Sequence, residues 1–248
     1  MERIEDLNAY QNAYGPDFKF NDENLATLDW YSSRMCADMR KNKVESVLSL
    51  GIGHRIVSQN ISDEFSHNLK RHLILEGAKE IIENYKNTYN PPPQVEIRHT
   101  YFEEFQTDEL FDAIEAGFVL EHVDDPAIVI NHIKQFLKPS GKMYLAVPNA
   151  RSLHRIIGHE AGMLDNYYKL SIHDLQLGHK RYFDLNSFTK FALDCGLKIC
   201  NVEGIFLKPV TTDQLNQLNL DPRLWKSLLK VGVNFPDICN SIYMETTV

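Results

Sequence analysis

The chain has 248 residues, of which 43% are hydrophobic and 24% charged, and a formal charge of −8. These proportions suit one large α/β domain with a substantial core. The acidic balance excludes duplex nucleic acid as a partner, because gripping a phosphate backbone requires a basic face. The start, Met1-Glu2-Arg3-Ile4-Glu5-Asp6, has neither the basic region nor the apolar run of an export signal. No apolar stretch approaches the roughly 20 residues of a bilayer span, so no membrane partner is expected. Cys36, Cys195, Cys200 and Cys239 show no CxxC spacing. Cys195 and Cys200 are expected as inert core residues, and the expected setting is cytoplasmic.

Residues 22–41 read as a helix carrying Leu25, Leu28, Trp30 and Met35, suited to cover the open side of a ligand cleft. Residues 44–50 form a β-like run into Gly51-Ile52-Gly53, followed by a helix reaching about residue 68. A second buried strand at 73–75 ends at Glu76, and 78–89 has helical spacing with Ile81, Ile82 and Tyr85 on one side. Pro91-Pro92-Pro93 marks a loop and not a domain linker, since segments of the same kind continue beyond it. Strands follow at 95–100 and 111–116. Residues 126–137 form a helix with Ile128, Val129, Ile133, Phe136 and Leu137 as its stripe, stopped by Lys138-Pro139-Ser140-Gly141. A fifth strand at 143–147 ends at Pro148-Asn149. After an inserted segment come a helix at 185–195, a strand at 197–206, a polar helical excursion at 211–230 and a last strand at 238–245.

Strands alternating with helices predict a doubly wound, mostly parallel sheet covered on both faces. Seven strands are expected, the last two giving an antiparallel edge.

A strand running into G-x-G lets the backbone turn tightly and approach a ligand at the C-terminal edge of such a sheet. No Gly-Lys-Ser/Thr follows, so this is not a phosphate loop. Glu76 at the end of the second strand is placed to accept hydrogen bonds from ribose hydroxyls. These two features fit a nicotinamide dinucleotide or S-adenosylmethionine equally.

Three later segments separate the two cofactors: Phe111-Asp112-Ala113-Ile114, then Phe118-Val119-Leu120-Glu121-His122-Val123-Asp124-Asp125-Pro126, then Phe136-Leu137-Lys138-Pro139-Ser140-Gly141-Lys142 before the fifth strand. With them the chain resembles the class I S-adenosylmethionine-dependent methyltransferases over roughly residues 44 to 205. The resemblance implies S-adenosylmethionine as cofactor and S-adenosylhomocysteine as product. It also implies a single domain over 1–248, in which 1–41 is a helical lid, 42–148 the cofactor core, 149–184 an acceptor cap, and 185–248 the last helix and edge strands. Gly51 and Gly53 would underlie the methionine portion, Glu76 the ribose, and Tyr101, Phe102 and Glu103 the adenine, while Phe118 lines the pocket. Ser49 stands where many members carry an acid and offers the cofactor a hydroxyl only. Arg55 replaces a common third glycine.

The inserted segment carries Arg151, His154, Arg155, His179, Lys180 and Arg181. Long insertions at a ligand edge tend to carry function. Methyl transfer from a sulfonium needs chiefly an aligned acceptor and, for a hydroxyl, a base. Histidine titrates in the right range, which makes His122 the first candidate for catalysis and His179 and His154 the next. The four cations either bind an anionic acceptor, such as an activated sugar, or pair with Asp165, Asp174 and Asp184. A divalent ion held by Glu121, His122 and histidines of the insert is the other way to activate a hydroxyl, but no ligand pair has i, i+4 or CxxC spacing, so no metal is expected. The sequence reading is thus methyl transfer to an oxygen or nitrogen of a small polar acceptor. The alternatives are a non-catalytic binding protein on this fold and a methyltransferase acting on protein or peptide. Apolar residues in the first forty positions and at 205–230 leave a homodimer open.

Overall fold

The computed structural model describes Leu7, Asn8 and residues 18–248; the remainder of the expected lid lies outside the described residues. Seven strands form one sheet: β1 (Ser46–Leu50), β2 (Arg71–Glu76), β3 (Val95–His99), β4 (Phe111–Gly117), β5 (Leu137–Pro148), β6 (Lys198–Ile205) and β7 (Ser241–Thr247). Their order is β3-β2-β1-β4-β5-β7-β6. β1 runs parallel to β2 and β4, and β2 to β3, while β6 and β7 are antiparallel. The doubly wound sheet with an antiparallel edge is therefore as expected. The order reverses between β1 and β4, the position where open α/β sheets bind ligands.

Nine helices are described: α1 (Asn21–Lys41), α2 (Ile56–Glu64), α3 (Lys79–Thr88), α4 (Pro126–Ile133), α5 (Leu153–Glu160), α6 (Ile172–Gln176), α7 (Leu185–Asp194), α8 (Thr212–Gln217) and α9 (Pro222–Gly232). None is long and apolar enough to cross a membrane, among the described residues. The chain divides into two compact units. The first holds the described residues up to Ala116 with Asp125–Tyr144 and Val248; the second holds Gly117–Asp124 and Leu145–Thr247.

In the first unit, Leu73, Ile74 and Leu75 on β2 and Val47, Leu48 and Leu50 on β1 are almost wholly buried. Such continuous apolar runs are what strands covered on both faces require. Helix α1 lies along the sheet. The Tyr31 hydroxyl donates to Glu115 Oε1 on β4 at 3.0 Å, and Asp38 accepts from Lys142 Nζ (2.7 Å) and the Tyr144 hydroxyl (3.0 Å) on β5.

Helix α4 starts as its sequence dictates, with Pro126 in the first turn and the Asp125 carboxylate capping Ala127 and Ile128 N–H. Its end differs from expectation. The helix stops at Ile133, a 3₁₀ turn covers Lys134–Phe136, and the Lys-Pro-Ser-Gly run lies inside β5. Lys138 is held extended by an ion pair with Asp112 (2.7 Å), whose other oxygen takes the N–H groups of Glu45 and Ser46. Gly141 sits too close to a neighbour for any side chain, because a Cβ there would lie 2.8 Å from the Asp112 carbonyl oxygen.

In the second unit, the excursion at 211–230 resolves into α8 and α9, with Trp225 stacked on Phe206 at 4.5 Å. The last strand begins at Ser241 and not at 238. Cys195 is buried as expected. Cys200 is not: β6 alternates at its start, and the thiol faces outward.

His72 on β2 generates a test. Burial first, then the Arg71 charge, depress its imidazole to about 3. Between that value and the ordinary 6.5 the unfolded chain binds a proton that the folded chain refuses. Its contribution to stability is therefore complete above about pH 6.5 and is lost toward pH 3, with a limiting slope of about 1.4 kcal/mol per pH unit. Denaturant midpoints taken from neutral pH down to about pH 4 should fall less steeply for His72→Gln than for the parent chain. Parallel curves would remove His72 from this role.

Candidate active site

The loop after β1 is shaped by two glycines in the left-handed region, Gly51 at φ +80° and Gly53 at φ +46°. Gly51 N–H donates to Leu75 O at 2.7 Å, tying the loop to β2. A side chain at Gly51 would meet nothing within 4 Å, so the backbone there is open to a ligand. Glu76 organises the same loop. One carboxylate oxygen accepts from Ile52 N–H at 2.9 Å and the other from Ala78 N–H at 2.8 Å. Burial raises its pKa, and these backbone hydrogen bonds oppose the rise. A carboxylate has about four lone-pair sites, so two remain for further donors.

Tyr101 packs beside this turn, its ring edge 3.4 Å from where a Cβ on Gly77 would lie. Phe102 and Glu103 follow in a half-buried 3₁₀ turn. The structure therefore brings Gly51, Gly53, Glu76 and Tyr101 to one turn pair. Ser49 is turned elsewhere: its hydroxyl is 3.0 Å from the His72 Nε2 across the neighbouring strand. Arg55 also points away, donating to the Thr88 carbonyl at the end of α3. Neither residue obstructs the loop, and the missing third glycine is replaced by a tether between α2 and α3.

In the second unit, Phe118 directly follows β4. Its φ of +59° is uncommon for a bulky residue, and its N–H is held by Ala146 O at 2.7 Å. Just beyond it, Glu121 is fully buried, and neither of its carboxylate oxygens has a hydrogen-bond partner. Burial pushes it up to about 7 against the pull of His179 and Arg181. His122 and His179 meet edge to face with ring centroids 4.8 Å apart. One potential ligand atom from each of Glu121, His122 and His179 lies within 4.8 Å of the other two.

Each histidine is oriented from outside. His122 is hydrogen-bonded to the backbone of Gly178 and Leu177, and burial, then the His179 charge, lower it to about 3. His179 Nδ1 sits 3.3 Å from Asp174 Oδ1, close enough for attraction but not aligned as a hydrogen bond. Asp174 also accepts from Tyr182 Oη at 2.9 Å and from Ser171 N–H at 2.6 Å. Burial pushes its carboxyl up, yet the attraction of His179 and the bonds from Ser171 outweigh that and hold it well below the usual range. His154 is buried nearby with Nδ1 unpartnered, and burial, then Lys208 and Arg155, lower it to about 3. It does not join the His122–His179 pair directly. Ser152 Oγ is a further buried, unpartnered atom.

Each of the cap's four cations already has a partner within the protein. Arg181 donates to the carbonyls of Leu120 (2.9 Å), Val123 and Asp124 (2.8 Å). Lys180 pairs with Asp124 at 2.6 Å. Arg155 donates to the Tyr167 and Lys169 carbonyls and lies 4.4 Å from the Tyr182 ring centroid. Arg151 stacks 4.9 Å over Tyr167. Of the three expected acidic partners, only Asp174 belongs to the site, through His179 and Tyr182.

Sequence reasoning named Glu121 within a motif and, with His122 and the insert's histidines, as a metal set that spacing did not support; it marked Asp174 only as a charge partner. Ser171-Ile172-His173-Asp174 carries the spacing of a capping box, which the structure forms. That signal identifies a helix start, not the second task of the same carboxylate.

Residues 28–202 match the family described as "Methyltransferase domain", and the chain belongs to that family. Its fold is that of the class I S-adenosylmethionine-dependent methyltransferases. A ubiquinone biosynthesis O-methyltransferase of Aeromonas salmonicida (strain A449) is 22% identical over 203 residues, covering 80% of each chain. A methyltransferase solved in complex with the Haloferax volcanii Trm112 activator aligns over 99% of each chain at TM-score 0.61 and 13% identity. The N-methyltransferase NodS of Bradyrhizobium japonicum WM9, solved with S-adenosylhomocysteine, aligns over 96% of this chain and 97% of its own at TM-score 0.55 and 12% identity.

Arg181→Ala removes three hydrogen bonds from a charged donor to carbonyls of the 120–124 loop. It is expected to destabilise the protein by about 2–3 kcal/mol, read as a shift in denaturant midpoint at constant slope. An unchanged midpoint would show that the loop at 120–124 holds itself.

Proposed function

We propose that this protein is an S-adenosylmethionine-dependent methyltransferase acting on a hydroxyl of a small, neutral polar acceptor, with S-adenosylhomocysteine as the second product. The observation that carries this reading is the fully buried Glu121 carboxylate without a partner, set against His122 and His179 in a methyltransferase-family chain. A buried acceptor left unsatisfied costs stability and calls for a ligand that donates. Unpartnered Nδ1 of His154 and Oγ of Ser152 add to a surface suited to a donor-rich molecule such as a phenol or polyol.

Oxygen is preferred over nitrogen because the curated relatives are named as O-methyltransferases. A neutral acceptor is preferred over a nucleotide-linked sugar because Arg155 is already bound within the cap, and Lys180 and Arg181 to the loop at 120–124. Gly51, Gly53, Glu76 and Tyr101 are the residues proposed to hold the cofactor. The open face at Gly51 and the two spare lone-pair sites of Glu76 support that fit, with Phe102 and Glu103 proposed beside the adenine. When bound, the cofactor supplies an electrophilic methyl on a sulfonium.

In the reaction, the acceptor oxygen loses its proton to the Glu121–His122–His179 cluster or to His154. An oxygen lone pair forms the new O–CH3 bond while the S–CH3 bond breaks, its electron pair returning to sulfur as a neutral thioether. The donor is already activated, so positioning and deprotonation are what the chain's residues contribute. Four cysteines without a disulfide among the described residues agree with a reducing, cytoplasmic setting.

Calorimetric titration with S-adenosylhomocysteine, with NAD as control, tests the cofactor. Binding of the first alone is expected, and binding of neither would favour a non-catalytic protein. Glu76→Ala should weaken that binding by about 1–3 kcal/mol, and unchanged affinity in a folded variant would remove Glu76 from the site. His122→Ala is expected to lower turnover more than cofactor affinity. Equal turnover would reject its part in the chemistry.

A further inference from the structure

We infer that Glu121, His122 and His179 bind a single divalent transition-metal ion, of the zinc, cobalt, manganese or iron(II) class, at the acceptor side of the site. The inference deepens the proposed function and rests on it only for what the ion does.

Four observations converge. One carboxylate and two imidazoles present ligand atoms within 4.8 Å of one another, so a modest contraction brings them to a shared ion. Glu121 is 0% exposed with both oxygens unpartnered, an arrangement that a cation or a proton must relieve. His122 is held by the backbone of Gly178 and Leu177, and His179 has Nδ1 beside the Asp174 carboxylate. A ligating histidine characteristically has its second nitrogen fixed by a carbonyl or a carboxylate, which sets the tautomer and aims the other nitrogen. Asp174 is itself fixed by Tyr182 and Ser171, so the aim is supported one layer further out.

The donor set selects the ion. Two nitrogens and one oxygen suit borderline metals, whereas magnesium and calcium favour oxygen donors. Three protein ligands leave coordination positions open, as catalytic and not structural sites do. An acceptor hydroxyl occupying an open position would have its pKa lowered and its oxygen oriented, and its proton would pass to His154, since Glu121, His122 and His179 would then be ligands. Spacing in the sequence concealed the site because His179 reaches Glu121 and His122 from the far end of the cap.

The test uses the full chain stripped with a chelator and titrated with Co2+ by visible absorption, with Zn2+ and Mg2+ as competitors. One Co2+ per chain is expected, with ligand-field bands in the visible range, displaced by Zn2+ and not by Mg2+. His179→Ala and Glu121→Gln should each lower Co2+ affinity by more than about tenfold, and Asp174→Asn, which leaves all three ligands, by about tenfold. Each variant is checked for S-adenosylhomocysteine binding, which a folded chain should retain. No stoichiometric Co2+ uptake by parent protein that binds S-adenosylhomocysteine would overturn the inference, as would affinity unchanged in both ligand variants. Equal turnover of a hydroxyl acceptor by metal-free and metal-loaded enzyme would overturn the ion's role and leave the proposed function standing. Co2+ binding without S-adenosylhomocysteine binding would do the reverse.

Discussion

A carboxylate taken out of water must be met by hydrogen bonds, a cation or a proton. The chain buries such a group in each of its two units, Glu76 and Glu121, and treats them in opposite ways. Glu76 is matched by the N–H groups of Ile52 and Ala78, and in being matched it fixes the glycine loop to the end of β2. Everything asked of that loop, including the left-handed turn at Gly51, depends on this bond pair. Glu121 is left unmatched, and the histidines and Asp174 are arranged around the vacancy in its hydrogen bonding. One group completes the scaffold, and the other is an opening for chemistry.

Most of the fold was legible because its signals are local. Buried parallel strands read as continuous apolar runs, Gly51 and Gly53 announce a turn that other residues resist, and Asp125-Pro126 marks a helix start. Where reading failed, a distant partner had decided the outcome. Lys138-Pro139-Ser140-Gly141 resembles a turn, yet Asp112 and its neighbours hold it as strand. Cys200 sits among apolar residues in sequence, but on β6 the alternation turns it out.

The candidate site divides in the same way. Glu76 and the glycines declare themselves through spacing from a strand end. Ser49 and Arg55 looked like defects in the pattern until His72 and Thr88 appeared as their partners. The cluster of Glu121, His122 and His179 is non-local, and no period or motif length predicts it. The four cap cations illustrate a related limit. Composition reports a positive segment, while the structure has Arg155 and Arg181 bound by carbonyl oxygens, Lys180 paired with Asp124 and Arg151 stacked on Tyr167.

His179 is flanked by Lys180 and Arg181, and those two fasten it to the loop that carries Glu121 and His122. Helix α5 and the turn after it lie outside that fastening and show Ile157 and Met163 to solvent. Substitution there can reshape what the cap admits without loosening the histidine from its partners. The segment is thus built so that selectivity can drift through evolution while the reacting groups stay in register, a separation that lets one framework serve successive acceptors.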